Sequence, residues 1–271
     1  MKPTVLEMTD PVPVRVRYSG EAASQGVGGT LAGEHVGPGK LRIVVPAPTQ
    51  AVEVVPRERN ETAQRIFNVV VATVALALSL PLCLIIALLI RVTSRGPVLY
   101  AQTRVGRDRR HARTYSGDER RVQDLGGQVF TIYKFRTMRV DAERISGAVW
   151  AHENDPRVTK VGRYLRMLRL DEIPQLWNVI RGDMNIVGPR PERPSIVARL
   201  RETIPRYQYR HRVKPGITGL AQINQRYDTC LEDVRSKVEW DIRYIENQSL
   251  WLDIQIMLRT IPAILLKYRG W

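Results

Sequence analysis

The chain has 271 residues, with 42 Lys+Arg against 27 Asp+Glu and a formal net charge of +15 at pH 7. That length suits one or two domains with an ordinary core, and the charge predicts a polyanionic partner: nucleic acid, anionic lipid headgroups or phosphorylated substrates. Two cysteines, Cys83 and Cys230, are too few for a disulfide framework or a four-cysteine zinc site, and nothing argues for an oxidising compartment.

Residues 1–60 are rich in Gly, Pro, Val and small polar residues ("SQGVGGTLAGEHVGPGK") without a sustained period, and read as a mostly disordered tail. Their glycines lack the Lys-Ser/Thr that a phosphate-binding loop requires. Between Arg65 and Arg91 the chain runs uncharged ("IFNVVVATVALALSLPLCLIIALLI"). At about 25 residues this exceeds the roughly 20 needed to cross a bilayer. It starts too far into the chain, and is too long, for a secretory signal. A membrane surface thereby becomes a better partner for the positive charge than nucleic acid.

Both flanks of the run are basic: Arg57, Arg59 and Arg65 before it, Arg91 and Arg95 after it. A simple span concentrates basic residues on one side. Pro81, near the middle, removes a helix hydrogen bond, and Ser79 offers a hydroxyl to a freed carbonyl. The residues alone leave two readings open, a kinked spanning helix and a re-entrant helix that enters and leaves by one face.

Downstream, "PVLYAQTRVG" and "QVFTIYKFRTM" alternate as two strands of a hairpin, with the charged, Gly-tipped residues 107–127 as a loop between them. Residues 157–170 predict a helix with Val161, Leu165 and Leu168 on one face. Ile173, Leu176, Trp177 and Ile180 recur at i, i+3, i+4, i+7, predicting a second helix ended by Gly182, with Pro174 in its first turn. Asp171 and Glu172 therefore fall at a helix N-terminus between Arg166, Arg169 and the proline. A helix cap with neutralising arginines and a phosphate-handling carboxylate pair both fit that placement. Near the C-terminus, Leu250, Ile254, Met257, Leu258, Ile261 and Leu265 share a helix face. Trp251, Lys267, Tyr268 and Trp271 suit a headgroup boundary, and the helix fits the interface or the domain core. His35, His111, His152 and His211 are scattered without metal-ligand spacing.

Taken together, "YKFRTMR", "NDPRVTKVGRYLRMLRLDEIPQLWNVIRGDMNIVGPRPERP" and "RVKPGITGLAQINQRYD" resemble the successive signatures of the bacterial sugar transferases. These are monotopic polyprenyl-phosphate phosphoglycosyl transferases, and the resemblance covers roughly residues 62–271. It implies an α+β, mainly helical, membrane-associated fold, with a proline-broken re-entrant helix, a small β-hairpin and amphipathic interfacial helices. The implied organisation is a disordered tail (1–60), a re-entrant membrane helix broken at Pro81 (61–95) and a cytosolic catalytic domain (96–271). The final stretch is similar to the ending of members that handle UDP-glucose or UDP-galactose.

The resemblance implies transfer of a sugar 1-phosphate from a UDP-sugar to undecaprenyl phosphate, giving undecaprenyl diphosphate sugar and UMP, at the start of exopolysaccharide or O-antigen assembly. Asp171 would be the nucleophile and Glu172 a ligand of Mg²⁺. Lys134, Arg136, Arg166 and Arg190 would contact phosphate, and Pro189 and Pro191 would frame a nucleotide loop around Arg190. Anionic membrane lipid would be a further partner, at the cytosolic face of the bacterial cytoplasmic membrane. Exposed apolar elements permit a homodimer, and no nucleic-acid-binding signature is present. Residues 107–127 are longer than the usual connection, which leaves substrate contacts near Arg104 open. The tail matches neither the short nor the long forms. The competing reading is a catalytically idle, membrane-tethered scaffold of polysaccharide assembly.

Overall fold

The computed structural model describes residues 54–108, 126–142, 155–225 and 230–264. Residues 1–53 of the expected tail, positions 109–125 of the expected loop, and Leu265, Lys267, Tyr268 and Trp271 lie outside the described residues, as do His35, His111 and His152.

The apolar run forms α1, Glu61–Thr93, a single helix of 33 residues. Asn60 caps it by accepting from the Ala63 N–H at 2.9 Å, with Glu61 in the first turn and Arg91 in the last, each matching the helix dipole. The helix continues through Pro81, and Ser79 Oγ donates to the Leu76 carbonyl at 3.1 Å, one residue before the carbonyl that the proline leaves without a donor. Its length and mean hydropathy of 2.8 suffice to cross a membrane. Val74, Leu78, Leu84 and Leu88 point outward and are exposed.

Both halves of α1 rest on the same domain. In the first half, Gln64 donates to Asp253 at 3.2 Å and the Asn68 carboxamide oxygen accepts from the Ile186 N–H at 2.6 Å. In the second half, Ile86 and Ile90 are buried with Phe135 and Leu165.

The two expected strands are β1, Leu99–Val105, and β2, Val129–Phe135, paired antiparallel from Leu99↔Phe135 to Val105↔Val129. Then come α2, Lys160–Met167, a 3₁₀ turn at Leu170–Glu172, and α3, Gln175–Arg181. Two three-residue strands, β3 (Asn185–Val187) and β4 (Gly216–Thr218), pair in parallel. Between them lie α4, Pro194–Thr203, and a 3₁₀ turn at Tyr207–Arg212; α5 (Leu220–Asn224), α6 (Leu231–Asn247) and α7 (Leu250–Pro262) follow. The main core gathers Val179, Met184, Val187, Tyr207, Val238, Ile242, Ile245 and Ile256. The result is helix-rich, with small sheets and one long apolar helix.

Several sequence expectations need correction. Residues 54–60, grouped with the tail, are pinned to the domain. Val54 is buried and its carbonyl accepts from Arg212, the Arg57 N–H donates to the Ile245 carbonyl at 3.1 Å, and Gln248 donates to the Arg57 carbonyl at 2.8 Å. The helix expected over 157–170 is shorter. Thr159 caps it, accepting from the Gly162 N–H at 2.9 Å, and Arg169, at φ 58°, turns the chain left-handed at its far end. Asp171 and Glu172 consequently occupy the 3₁₀ turn, upstream of α3 rather than at its N-terminus, and Pro174 is the residue before α3.

α3 is rotated from its apolar stripe: Gln175, Asn178 and Val179 face inward while Trp177 is 51% exposed. Asn178 explains the rotation. Its carboxamide accepts from the Tyr133 N–H at 3.2 Å and donates to the Thr131 carbonyl at 2.7 Å, satisfying backbone groups on the free edge of β2. α7 docks through Asp253 and Ile256, with Met257 partly buried, and leaves Leu250, Trp251, Leu258 and Ile261 exposed. It therefore packs on the core and presents an apolar outer face at once.

Candidate active site

The acidic pair sits where three supports converge. Behind it, Gly162 lets α2 approach the chain leaving β2; a Cβ there would lie 2.1 Å from the Thr137 carbonyl oxygen. Arg166 on α2 donates from Nε to Thr137 Oγ1 at 3.0 Å across the same junction. Beyond it, α3 ends at Gly182, at φ 94°, and its last carbonyls, Val179 and Ile180, accept from the Arg65 guanidinium of α1 at 2.5 and 2.6 Å.

The third support is the loop after β3, Gly188-Pro189-Arg190-Pro191-Glu192. The Pro189 carbonyl accepts from the Gly216 N–H at 3.0 Å and the Glu192 carbonyl from the Val105 N–H at 2.9 Å. The Arg190 carbonyl accepts from Arg210 and the Pro191 carbonyl from Arg104, both at 3.0 Å. Four successive carbonyls are thus tied to β4, β1 and buried guanidinium groups, which fixes the direction of the Arg190 side chain. Arg210 is itself buried, with Nε on Asp241 Oδ2 at 3.0 Å and Nη1 on the Tyr207 hydroxyl at 3.0 Å. Glu192 binds Lys237 at 3.1 Å and Arg104 at 3.4 Å. Burial works against its charge, but Lys237, Arg104 and Arg210 hold its carboxyl at a pKa of about 2.

Within this frame the two carboxylates, both buried, have opposite environments. Glu172 Oε1 receives Arg190 Nη2 at 2.6 Å, Lys134 Nζ at 3.0 Å and Arg169 Nη1 at 3.5 Å. Burial alone would raise its pKa, but Arg190, Lys134 and Arg169 hold it well below the usual carboxylate range. Asp171 is different: its Oδ1 is buried with no hydrogen-bond partner. Burial, and then the charge of Glu172, push its carboxyl above its ordinary value, against the opposing pull of Lys134, Arg166 and Arg169. Burial also lowers the Lys134 ammonium, with Glu172 opposing. A buried carboxylate whose oxygen is unsolvated, surrounded by cations already anchored on its neighbour, is suited to attack an anionic electrophile.

The structure brings together Asp171, Glu172, Lys134 and Arg190, with Arg166 near enough to act on Asp171 electrostatically. Pro189 and Pro191 flank Arg190 in the loop after β3. Arg136 goes elsewhere: its guanidinium donates to the Arg95 and Ser94 carbonyls at 2.6 and 2.8 Å, closing the exit of α1. Arg169 joins the site although it was not among the expected site residues. Its i, i+3 spacing to Glu172 was visible, but its side chain reaches the pair only because the left-handed turn aims it there. Arg210, Asp241 and Lys237 support the loop from positions far along the chain and carry no local signal. A cleft of about 260 Å³ adjoins the pair, bordered by Arg169 and Glu172 and lined further by residues of the α2–α3 junction, β4, α5 and the end of α7.

The model of the family described as bacterial sugar transferase matches residues 59–267. An Aeromonas hydrophila protein named UDP-N-acetylgalactosamine-undecaprenyl-phosphate N-acetylgalactosaminephosphotransferase is 38% identical over 248 residues, 92% of this chain and 52% of that protein. Proteins named UDP-glucose:undecaprenyl-phosphate glucose-1-phosphate transferase are 42% identical in Escherichia coli K12 and 40% in Caulobacter vibrioides. These matches cover 74% and 78% of this chain and 40% and 72% of the respective relatives. The chain spans about half the length of the Aeromonas relative and less than half of the Escherichia one. The matched span contains Lys134, the acidic pair and the Pro-Arg-Pro loop, and the chain belongs to the bacterial sugar transferase family.

Proposed function

We propose that the chain is a phosphoglycosyl transferase that passes a sugar 1-phosphate from a UDP-sugar to undecaprenyl phosphate, through a covalent intermediate on Asp171, and so starts the assembly of an exopolysaccharide or O-antigen. The observation that carries this reading is the asymmetry of the acidic pair: Glu172 clamped by three cations, Asp171 with an unpartnered buried oxygen. The names of the relatives supply the reaction class.

In the first step the Asp171 carboxylate attacks the sugar-bearing phosphorus. The phosphorus–oxygen bond to UMP breaks, UMP departs with the electron pair, and an acyl phosphate remains. In the second, a phosphate oxygen of undecaprenyl phosphate attacks the same phosphorus and the Asp171 carboxylate leaves unchanged. Lys134, Arg166, Arg169 and Arg190 offset the repulsion between anions in both steps. Arg136 contributes by fixing the end of α1.

Magnesium fits this site only together with substrate. Among the described residues no three His, Cys, Asp or Glu side chains gather as a cage. Mg²⁺ needs only one or two carboxylates when phosphate oxygens complete its shell. Glu172 Oε2, which meets Arg190 only at a long 3.5 Å, and the partnerless Asp171 Oδ1 are the available oxygens. We assign the ion to Glu172, where it would neutralise charge developing on the diphosphate.

The placement at the membrane belongs to the same proposal. α1 is read as re-entrant at Pro81, with the domain on the cytosolic face of the bacterial cytoplasmic membrane. Two docked halves with an exposed apolar middle support this, because a span leaving by the far side would carry Ile86 and Ile90 away from Phe135 and Leu165. Anionic lipid would complement the +15 charge.

The test is UMP release by the purified chain with Mg²⁺, undecaprenyl phosphate and a panel of UDP-glucose, UDP-galactose and their N-acetylated forms. Release with one donor, matched by a lipid diphosphate sugar, is expected. A folded protein that releases UMP with none of them would return the chain to the idle-scaffold reading.

A further inference from the structure

The cleft of about 260 Å³ beside the acidic pair changes character abruptly. One end is Arg169 and Glu172; the remaining wall includes Ile173, Leu176, Ile217, Ile223 and Ile264. Its polar members do not make it polar. Thr260 Oγ1 donates to the Ile256 carbonyl at 2.7 Å, so Thr218 is the donor in the 2.8 Å bond between the two hydroxyls. The Gln222 amide donates to the Ile217 carbonyl at 2.8 Å, leaving Gln222 Oε1 without a partner. Both hydroxyls and the Gln222 amide are engaged with the protein's own backbone or with each other, and the wall beyond Arg169 and Glu172 is mostly hydrocarbon. The elements that form it also carry apolar residues outward: Leu168 is 45% exposed, and Leu258 and Ile261 on α7 are 64% and 60% exposed.

We propose that this cleft receives the first isoprene units of the acceptor, with Arg169 meeting its phosphate at the inner end; the proposal rests on the transfer reaction assigned above. The match is one of chemical sequence along the ligand. A prenyl phosphate joins its anion directly to hydrocarbon, as the cleft passes directly from the Arg169 guanidinium and Glu172, the neighbour of Asp171, to isoleucines. A glycerophospholipid would press its ester oxygens against Ile173 and Leu176, where nothing can bond them. A nucleotide sugar is polar throughout and would leave the wall unused. With the prenyl stem seated here, the acceptor phosphate lies beside the turn that holds Asp171, poised to displace the carboxylate from phosphorus.

The two half-reactions separate the cleft from the chemistry. Ile217→Trp, and independently Ile264→Trp at the half-buried position just past α7, fill the cleft without replacing any residue of the charged cluster. In the full chain, formation of the sugar-phosphate adduct from UDP-sugar alone should stay within about twofold of the unaltered protein. Discharge of that adduct by sub-saturating undecaprenyl phosphate should slow by about tenfold or more, through the acceptor KM. Normal discharge in both variants would overturn the assignment.

A prenyl phosphate carrying a diazirine in its first isoprene units supplies a readout that needs no turnover. Labelling of the peptides containing Ile217 or Ile223, competed by undecaprenyl phosphate and not by phosphatidylglycerol, is expected. Equal competition by phosphatidylglycerol would make the cleft a general acyl-chain site and overturn the proposal, as would labelling elsewhere. If the unaltered protein formed no adduct, the transferase reading would fail while the labelling still decided what the cleft binds.

Discussion

Neutralising each member of the acidic pair in turn should have unequal effects on stability. Asp171→Asn and Glu172→Gln make the same chemical change one residue apart. Glu172 compensates Lys134, Arg190 and Arg169 at 3.0, 2.6 and 3.5 Å, with its own side chain only 8% exposed. Breaking a buried pair by removing one partner costs about 3–5 kcal/mol. Because Arg190 and Arg169 keep some contact with water, about 2–3 kcal/mol is the better expectation for Glu172→Gln. For a domain of this size that is a loss of roughly 4–12 °C in Tm.

Asp171 has no such credit. Its carboxyl is pushed above its ordinary value by burial and by Glu172, so its ionisation works against the fold at neutral pH. Asp171→Asn should therefore unfold within about 1 kcal/mol of the unaltered protein, or later than it, while activity falls by about 10⁴-fold or more. Acid unfolding separates the two groups as well. The stability that depressed Glu172 contributes is complete above its unfolded pKa of 4.5, and is lost as pH falls through its folded value. Thermal and urea unfolding of both variants in one lipid nanodisc preparation makes the comparison. Equal destabilisation would refute the asymmetric electrostatics from which the nucleophile was assigned.

His211 is buried, its pKa lowered to about 3 by burial and by Arg210, and its Nδ1 is unpartnered. A base whose neutral form is favoured on folding destabilises as pH falls below its unfolded value of 6.5. His211 should cost about 2 kcal/mol between pH 7 and pH 5, read from urea midpoints, and His211→Phe should abolish that loss. Gly162→Ala should lower Tm and slow turnover together, since its Cβ would meet the Thr137 carbonyl at 2.1 Å; an unchanged Tm would mean the junction yields. In a background with Cys83 and Cys230 replaced by Ala, Thr62→Cys and Thr93→Cys, both exposed at the ends of α1, should be labelled from the cytosolic side. Labelling from opposite sides would establish a span.

The two strands and the placement of the acidic pair between two helices were legible because their signals are local: alternation, an acidic doublet, a proline and a terminating glycine. The orientation of α3 was not, because the stripe Ile173–Leu176–Trp177–Ile180 measures hydrophobicity, whereas Asn178 faces inward to complete β2. The parallel β3–β4 pair escaped because three residues carry no period, and its closeness depends on Gly216, where a Cβ would sit 2.1 Å from the Gly188 nitrogen. Arg136 fitted a phosphate role by its place in a motif, and only tertiary structure shows its guanidinium on the Ser94 and Arg95 carbonyls. The supports of the loop, Arg210 with Asp241 and Lys237 with Glu192, join residues 31 and 45 positions apart, beyond any helical or strand period.

The central claim is that Asp171 takes up the sugar phosphate, and a quenched intact-mass spectrum measures it directly. The unaltered protein, incubated with Mg²⁺ and UDP-sugars but no acceptor, should gain one sugar-phosphate mass with stoichiometric UMP, and Asp171→Asn should gain none. An adduct of the same mass on folded Asp171→Asn, or lipid-linked product made by that variant at a normal rate, would contradict it.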